Sequence, residues 1–296
     1  MLRFKGSLEI SGDKSISHRA LILAAMSTGK TKISNLLESD DVLRTLNILK
    51  KLGIKIVKVK NNWIVYGNGT GGFIEPERYL NCGNSGTTAR LMIGAVSSNP
   101  INCTFVGDTS LSKRSMSRVT NHLEKIGATV NLTKKDFLPL FILGSDQLLP
   151  MPHIIEKASA QIKSALILAA LNIHGKTKIT EKTPTRDHTE RLLKYLKVDF
   201  KIRKIRDKYK QIELNGPYEI KSKNLEVAGD PSSASFFIVG ALIVPGSKVT
   251  IKNVMLNPSR IAFLKILKTM GAKLKVKKIR NICGEDVGNI TAEYSA

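Results

Sequence analysis

Residues 12–26 read Gly-Asp-Lys-Ser-Ile-Ser-His-Arg-Ala-Leu-Ile-Leu-Ala-Ala-Met. A turn dipeptide, Gly12-Asp13, leads into Lys14, Ser15, Ser17 and Arg19, and then into a continuous apolar stretch. This spacing predicts a helix over residues 15–26 that opens on two cations and two hydroxyls. The first backbone N–H groups of a helix have no partner within it, and that end carries partial positive charge, so the opening suits an anion. Serine caps and first-turn basic residues also occur on helices with no ligand. The stretch alone therefore leaves a plain capped helix open. Its six residues Ala20-Leu21-Ile22-Leu23-Ala24-Ala25 recur unchanged at 165–170. A repeated hexapeptide points to internal symmetry.

Outward from this stretch, one order of elements repeats. A strand over 2–10 precedes the helix. A strand over 30–36 follows, then a helix capped at Ser39-Asp40 and closed by Gly53, a hairpin over 54–66 turning at Asn61-Asn62, and a Gly-rich loop. The order returns with a helix from Gly83, a strand over 101–106, a helix over 111–126 and a hairpin over 129–143 turning around 134–136. A third round has a helix from Lys157, a strand over 177–180, a helix over 185–196 and a hairpin over 200–214. A fourth has a helix over 229–243, a strand over 248–254, a helix over 258–270 and strand-like residues 274–279. The rounds start at 12, 83, 157 and 229, a period of about 72 residues. That is longer than the ~20–50 residues of a solenoid repeat. Each round is an α/β layer that must bury a helix face against its siblings. Packing equivalent helices side by side would gather their N-termini, bringing Lys14, Ser15, Ser85, Gly86, Ser159, Gln161, Ser232 and Ser233 to one cleft.

The totals narrow the function. The chain has 296 residues, enough for two domains with a packed core. No apolar run reaches the ~18 residues a membrane span needs, and the first residues lack the apolar core of a secretory signal. Cys82, Cys103 and Cys283 are scattered without metal-ligand spacing, which fits a reduced, cytoplasmic setting. The net charge is +23, from 47 Lys and Arg against 24 Asp and Glu. Such an excess raises nucleic acid as a partner. However, Lys55, Lys58, Lys60, Lys273, Lys275 and Lys277 punctuate apolar positions as the solvent face of half-buried strands. Aromatic residues are only 5%, too few for a base-stacking platform. A small anionic substrate accounts for the charge better than nucleic acid does.

Several motifs, in order along the whole chain, resemble those of the 5-enolpyruvylshikimate-3-phosphate synthase family. They are Gly12-Asp13-Lys14-Ser15-Ile16-Ser17-His18-Arg19-Ala20, Gly83-Asn84-Ser85-Gly86-Thr87-Thr88-Ala89-Arg90, Gly107-Asp108-Thr109-Ser110-Leu111-Ser112-Lys113-Arg114, Ser159-Ala160-Gln161-Ile162-Lys163-Ser164, Thr185-Arg186-Asp187-His188-Thr189-Glu190 and Gly229-Asp230-Pro231-Ser232, with Asn257-Pro258-Ser259-Arg260. The forms with Lys-Arg after Ser-Leu and with Arg-Asp-His-Thr-Glu resemble the second bacterial class, the glyphosate-tolerant type.

The resemblance implies a two-domain enolpyruvyl-transferase-like fold, an inside-out α/β barrel in which each complete domain holds three such units. Residues 13–228 would form the complete three-unit domain. Residues 1–12 and 229–296 would form part of the second, which is expected to be incomplete. The implied reaction transfers the enolpyruvyl group of phosphoenolpyruvate to the 5-hydroxyl of shikimate 3-phosphate and releases phosphate through a tetrahedral intermediate, with no metal or cofactor. By motif position, Lys14 resembles the lysine that touches both substrates and the reacting centre. Ser15, Arg19, Ser159, Ala160, Gln161 and Arg186 resemble shikimate-3-phosphate ligands. Gly86, Arg114 and Gln161 resemble phosphoenolpyruvate ligands. Where relatives often carry Pro after that arginine, this chain has Ser115. Arg90 can brace its helix or join the site. His18 is expected to be packed, and Asp230 and Ser232 to cap a helix. His188 and Glu190 lack a third metal ligand at useful spacing.

The cell-wall enolpyruvyl transferase acting on a UDP-sugar shares the fold. Lys-Ser-Ile-Ser-His-Arg, Arg-Asp-His-Thr-Glu and the lack of a reactive cysteine loop near Arg114 speak against it. Four units account for this chain where the family has six, and the family's catalytic aspartate and Lys-Glu pair have no counterpart in residues 229–296. The expectation is a truncated or partner-dependent chain, a monomer when complete, that retains shikimate-3-phosphate binding without turnover and exposes an apolar patch.

Overall fold

The computed structural model describes residues 3–134, 136–206 and 208–295. The chain opens with β1 (Lys5–Glu9), and four rounds follow. The first is α1 (Lys14–Ala25), β2 (Ser27–Ser34), α2 (Asp40–Lys51) and the hairpin β3 (Lys55–Val59) and β4 (Asn62–Asn68). The second is β5 (Leu80–Asn81), α3 (Gly86–Ser97), β6 (Asn102–Val106), a 3-10 turn (Leu111–Lys113), α4 (Ser117–Lys125), β7 (Thr129–Lys134) and β8 (Phe137–Leu143). The third is β9 (Pro152–Ile155), α5 (Ala160–Ala170), β10 (Gly175–Glu181), α6 (His188–Tyr195), β11 (Phe200–Lys204) and β12 (Lys210–Gly216). Two short strands, β13 (Ile220–Lys221) and β14 (Leu225–Glu226), lead to the fourth round. It holds α7 (Pro231–Ile243), β15 (Lys248–Met255), α8 (Ala262–Thr269), β16 (Lys273–Ile282) and β17 (Glu285–Glu293).

Among the described residues these strands form four sheets, one per round. In each, three antiparallel strands stand with the last strand of the round between the other two, and a parallel strand lies at the edge. In the second and third rounds the edge comes from the connector just before, β5 beside β6 and β9 beside β10. In the other two the connectors trade places. β1 pairs with β15, Lys5 opposite Lys248, while β13 and β14 pair with β2. The chain therefore crosses itself at Gly12 and Gly229, which form a bridge. Asp13 N–H donates to Ala228 O at 2.8 Å and Asp230 N–H to Ser11 O at 3.0 Å. A Cβ on Gly12 would lie 2.1 Å from Asn35 O and 2.6 Å from Val227 Cγ1. Only glycine lets the two strands pass this closely.

A helix that is apolar all round must be covered all round. α1, α3 and α5 come close to this, and their residues from the second turn onward are buried except for Arg90 of α3. They pack against one another inside a cluster that runs from Ile16 to Ala228 and also takes in Met255, Ile282, Cys283 and Val287. A second, smaller cluster is built from α7, α8, β15 and β17, with Leu8 and Ile10 packed against it.

The second helix of rounds two, three and four starts later than its apolar period suggests, at Ser117, His188 and Ala262. The residues ahead of each are taken up by polar turns. Asp108 Oδ1 accepts from Leu111 N at 2.7 Å, Glu181 Oε1 from Thr185 N at 3.1 Å, and Asn257 Oδ1 from Ser259 N at 3.0 Å. Such side-chain acceptors compete with the helix for the same amides. The first hairpin turns one residue early, Val59 facing Asn62, with Lys60 at φ +52°. Residues 274–279 belong to a full hairpin, β16 with β17, rather than to a lone strand, because β17 also closes onto β15. Leu2 of the expected first strand, Lys135 of the second hairpin turn, Asp207 of the third hairpin and Ala296 lie outside the described residues. Among the described residues no helix is long and apolar enough to cross a membrane.

Candidate anion-binding site at three helix N-termini

Three caps define the site. Asp13 caps α1 by accepting from Ile16 N at 2.9 Å, Ser85 caps α3 by accepting from Thr88 N at 3.2 Å, and Ser159 caps α5 by accepting from Ile162 N at 3.3 Å. First-turn side chains then tie the helices together. Gln161 Nε2 donates to Thr87 Oγ1 at 2.9 Å, and Arg90 Nη1 donates to Gln161 Oε1 at 2.8 Å. Arg19 donates through Nε to Thr189 Oγ1 at 2.7 Å and through Nη2 to Ser164 Oγ at 2.8 Å. The openings of α1, α3, α5 and α6 are thus neighbours. Together they present unpaired N–H groups and partial positive charge to one region.

The residues singled out from the sequence fall as follows. Lys14 is exposed at the first turn of α1, with Nζ 3.0 Å from Asp41 Oδ2. Ser15 is half-buried beside it, and its carbonyl accepts from Arg19 Nη1 at 2.9 Å. Arg19 lies beneath the surface, and burial pushes its guanidinium down to about 10. Three of its nitrogens are committed to protein acceptors, so it knits α1 to α5 and α6. Ser159, Ala160 and Gln161 are half-buried at the opening of α5. Gly86 opens α3 and is buried; a Cβ there would lie 2.9 Å from Arg90 Nη1 and 3.5 Å from Arg114 Nη1. Arg114 is exposed and donates to Asn84 Oδ1 at 3.1 Å. Arg186 is exposed on the loop before α6, and none of the hydrogen bonds or ion pairs of the described residues involves its side chain. Partial burial and the nearby Arg260 hold its guanidinium below the usual range. An exposed guanidinium with no protein partner is free to meet an anion.

A cavity of about 290 Å³ between α3 and α5 is lined by Arg90, Ser115, Arg118, Ser159, Gln161 and Ile162. Burial, Arg114 and Arg118 all hold Arg90 below its usual range. Arg90 thus lines the candidate site. Its position four residues after Gly86 was the signal, since residues i and i+4 share a helix face. Arg118 was not singled out from the sequence, because nothing in its local spacing marks it.

At the N-terminus of α7, Asp230 accepts from Ser232 N and Ser233 N, the capping role expected of it. Ser232 Oγ accepts from Arg260 Nη2 at 2.9 Å, and Arg260 also reaches Asp230 Oδ1 at 3.0 Å and Asp13 Oδ2 at 2.5 Å. Burial would raise Asp13, but Arg260 and other neighbours outweigh it and keep the carboxyl below the usual carboxylate range. His18 is packed as expected. Burial, with Arg19 next, pushes it down to about 3, and its Nδ1 shares a 2.7 Å hydrogen bond with Thr45 Oγ1.

Two buried polar clusters were not legible. Lys163, wholly buried, pairs with Glu181 at 3.0 Å and Glu190 at 2.9 Å. Asp187, His188 and Glu285 bring ligand-type atoms within 4.8 Å of one another, a trio the sequence hid because Glu285 stands 97 residues away. His188 Nδ1 donates to Glu285 Oε1 at 2.7 Å, and Arg191 Nε lies 2.9 Å from Asp187 Oδ1 and 3.6 Å from Glu285 Oε2. With these donors in place the carboxylates are already satisfied, which argues against a cation in their midst.

The family model of EPSP synthase (3-phosphoshikimate 1-carboxyvinyltransferase) matches residues 2–292. The chain is 41% identical to the 3-phosphoshikimate 1-carboxyvinyltransferase of Zymomonas mobilis subsp. mobilis over 98% of its own length and 64% of that relative. It is 43% identical to the enzyme of the same name from Sphingopyxis alaskensis, over 98% of this chain and 66% of the relative. The EPSP synthase from Acinetobacter baumannii superposes with a TM-score of 0.90 at 38% identity, covering 99% of this chain and 65% of that one. The chain thus spans just under two thirds of the length of these relatives. With the motifs in order and the fold matched along nearly its whole length, the chain belongs to the EPSP synthase family.

Proposed function

We propose that this chain serves enolpyruvyl transfer from phosphoenolpyruvate to the 5-hydroxyl of shikimate 3-phosphate, the reaction that the family implies. The observation that carries the reading is the meeting of three helix openings with the unpaired guanidinium of Arg186 and the cluster of Arg90, Arg114 and Arg118. Shikimate 3-phosphate would lie against α1 and α5, held by Lys14, Ser15, Ser159, Ala160, Gln161 and Arg186. Arg19 would hold the floor rather than the ligand. Phosphoenolpyruvate would lie over Gly86, where no side chain intervenes, against Arg114, Arg90 and Gln161. Opposed cations draw the two anions together and stabilise charge that develops on the departing phosphate. Residues 13–228 would act as one domain and residues 1–12 and 229–296 as part of a second. The exchange of edge strands between β1 and β13–β14, and the two separate apolar clusters, support that division.

A second reading is binding without turnover. Asp41, which pairs with Lys14, and Asp13, its neighbour in sequence, which pairs with Arg260, are both held in ion pairs. The transfer needs a free group to deliver and remove a proton, and neither carboxylate is free. Calorimetric titration of shikimate 3-phosphate and a phosphate-release assay separate the readings. Saturable binding that Arg186→Ala weakens at least tenfold supports both. Sustained phosphate release selects the first and sinks the second. No binding at millimolar ligand by a folded chain sinks both.

A further inference from the structure

The loop that carries Arg186 is anchored on both sides, and the anchors come from different parts of the molecule. On one side, Glu181 Oε1 accepts from the Thr185 amide at 3.1 Å and also from the Thr185 hydroxyl. Glu181 is fixed in turn by the buried Lys163, whose Nζ donates to its Oε2 at 3.0 Å. On the other side the anchor comes from the fourth round, from Asn257 in the loop before α8 and from the last hairpin. Asp187 stands at the N-cap of α6, where a carboxylate ordinarily accepts from a first-turn amide. It makes no such bond. Its Oδ1 instead accepts from Asn257 Nδ2 at 2.8 Å and pairs with Arg191 Nε at 2.9 Å. The next residue, His188, donates to Glu285 Oε1 at 2.7 Å, and Glu285 Oε2 accepts from Asn257 Nδ2 at 3.0 Å. Arg191 Nη1 closes the ring by donating to Gly284 O at 2.9 Å. Glu285 is 2% exposed and His188 1%. A helix start that gives up its local cap for a bond to residues 70 positions away is being placed from outside.

We propose that Glu285 is a positioning residue for Arg186. It acts through His188 and through the Asn257–Asp187 link. It sets the backbone from which the guanidinium projects, so the grip on a phosphorylated ligand depends on how the β16–β17 hairpin seats against α6. The inference rests on the reading that Arg186 meets the phosphate of shikimate 3-phosphate. Its consequence is reciprocal: whatever the hairpin contributes to ligand affinity, the ligand contributes to seating the hairpin.

The test is a double-mutant cycle read by calorimetric titration of shikimate 3-phosphate, with hydrogen exchange on the free chain beside it. Glu285→Gln keeps the shape but loses the charge and one acceptor. It is expected to weaken binding about tenfold, within the range typical of site-to-site coupling. In an Arg186→Ala background the same change should have almost no further effect, because residues that act as one unit are not additive. Asp286→Asn, on the exposed neighbouring carboxylate, should leave affinity unchanged. Exchange of the amides of 185–190 should quicken in Glu285→Gln while those of 160–163 do not. Asn257→Ser cuts the second arm and takes the place of Glu285→Gln should that variant not fold. A purely structural role would lower the melting temperature and weaken binding equally in both backgrounds; that result, or unchanged affinity in Glu285→Gln, overturns the proposal. If the unaltered chain does not bind shikimate 3-phosphate, the functional reading has failed. The exchange measurement then decides the positioning alone, and unchanged exchange at 185–190 overturns it.

Discussion

Helices α5 and α7 hold equivalent places in their rounds and are apolar all round, yet they live in different surroundings. From Ile162 to Ala170 every residue of α5 is buried. Along α7, Phe236 is 79% exposed and Ile243 68%, with Phe237 and Val239 also open to solvent. Ile266 and Met270 at the end of the fourth round are exposed as well. The difference is not in the helices but in their neighbours. α5 lies against α3 and α4 as well as its own sheet, whereas α7 packs chiefly on β15 and β17, and among the described residues no sibling helix packs closely on it. This is the apolar patch expected from the sequence. The same apolar composition is a core in one place and a bare face in the other, and a face of this kind ordinarily marks an interface.

The largest expected effect separates the two helices directly. Leu168→Ala removes a fully buried side chain and should cost about 2–5 kcal/mol in urea unfolding. Phe236→Ala deletes a larger side chain yet should change stability by less than about 0.5 kcal/mol. A loss of several kcal/mol at Phe236 would mean the outer face of α7 is covered in solution, and the contrast would collapse.

Acid provides the next test. His18 is pushed down to about 3 and His153 to about 4, both chiefly by burial, and all five histidines precede residue 229. The unfolded chain takes up protons near pH 6.5 that the folded chain refuses until well below. Stability should therefore be flat above about pH 7 and fall as the pH drops from about 6.5 toward 4, by on the order of a few kcal/mol. Below that, Asp13 and Glu190 add to the loss. Burial would raise both, but cationic neighbours outweigh it and hold both low, so their contribution is present above the ordinary carboxylate pKa and disappears as pH falls. Trp63, the single tryptophan, reports on this part of the chain. A urea midpoint that does not move between pH 7 and 5, or one that His18→Gln leaves just as steep, contradicts the burial of His18.

The smallest effect sharpens the comparison at two mid-helix glycines. A Cβ on Gly94 of α3 would lie 2.4 Å from Ala165 O and 2.6 Å from Ala165 Cα, so Gly94→Ala should cost about 1–3 kcal/mol. A Cβ on Gly240 of α7 meets only Phe4, at 3.5 Å, so Gly240→Ala should stabilise by up to about 1 kcal/mol through helix propensity. Equal signs in thermal melts would show that the two helices are more alike than their neighbours suggest.

The amino-acid sequence by itself determined the repeat, the order of elements in each round, the buried helices and the openings of α1, α3 and α5. These are local properties: apolar period, caps and glycines act within a turn or two of themselves. It also placed Lys14, Gly86 and Gln161 at helix openings that the folded chain brings together. Only the tertiary structure decided that Arg19 is spent on Thr189, Ser164 and a carbonyl, that Arg90 and Arg118 face one cavity, and that Glu285 holds the start of α6. Those facts depend on residues distant in the chain, 145 and 170 positions for Arg19 with Ser164 and Thr189 and 97 for Glu285 with His188. No spacing rule encodes such meetings. The first two come from the packing of α1, α3, α4, α5 and α6 within residues 13–228, and the third from residues that follow the crossing at Gly12 and Gly229. A helix composition states that a face must be covered, and only the arrangement of its neighbours decides by what.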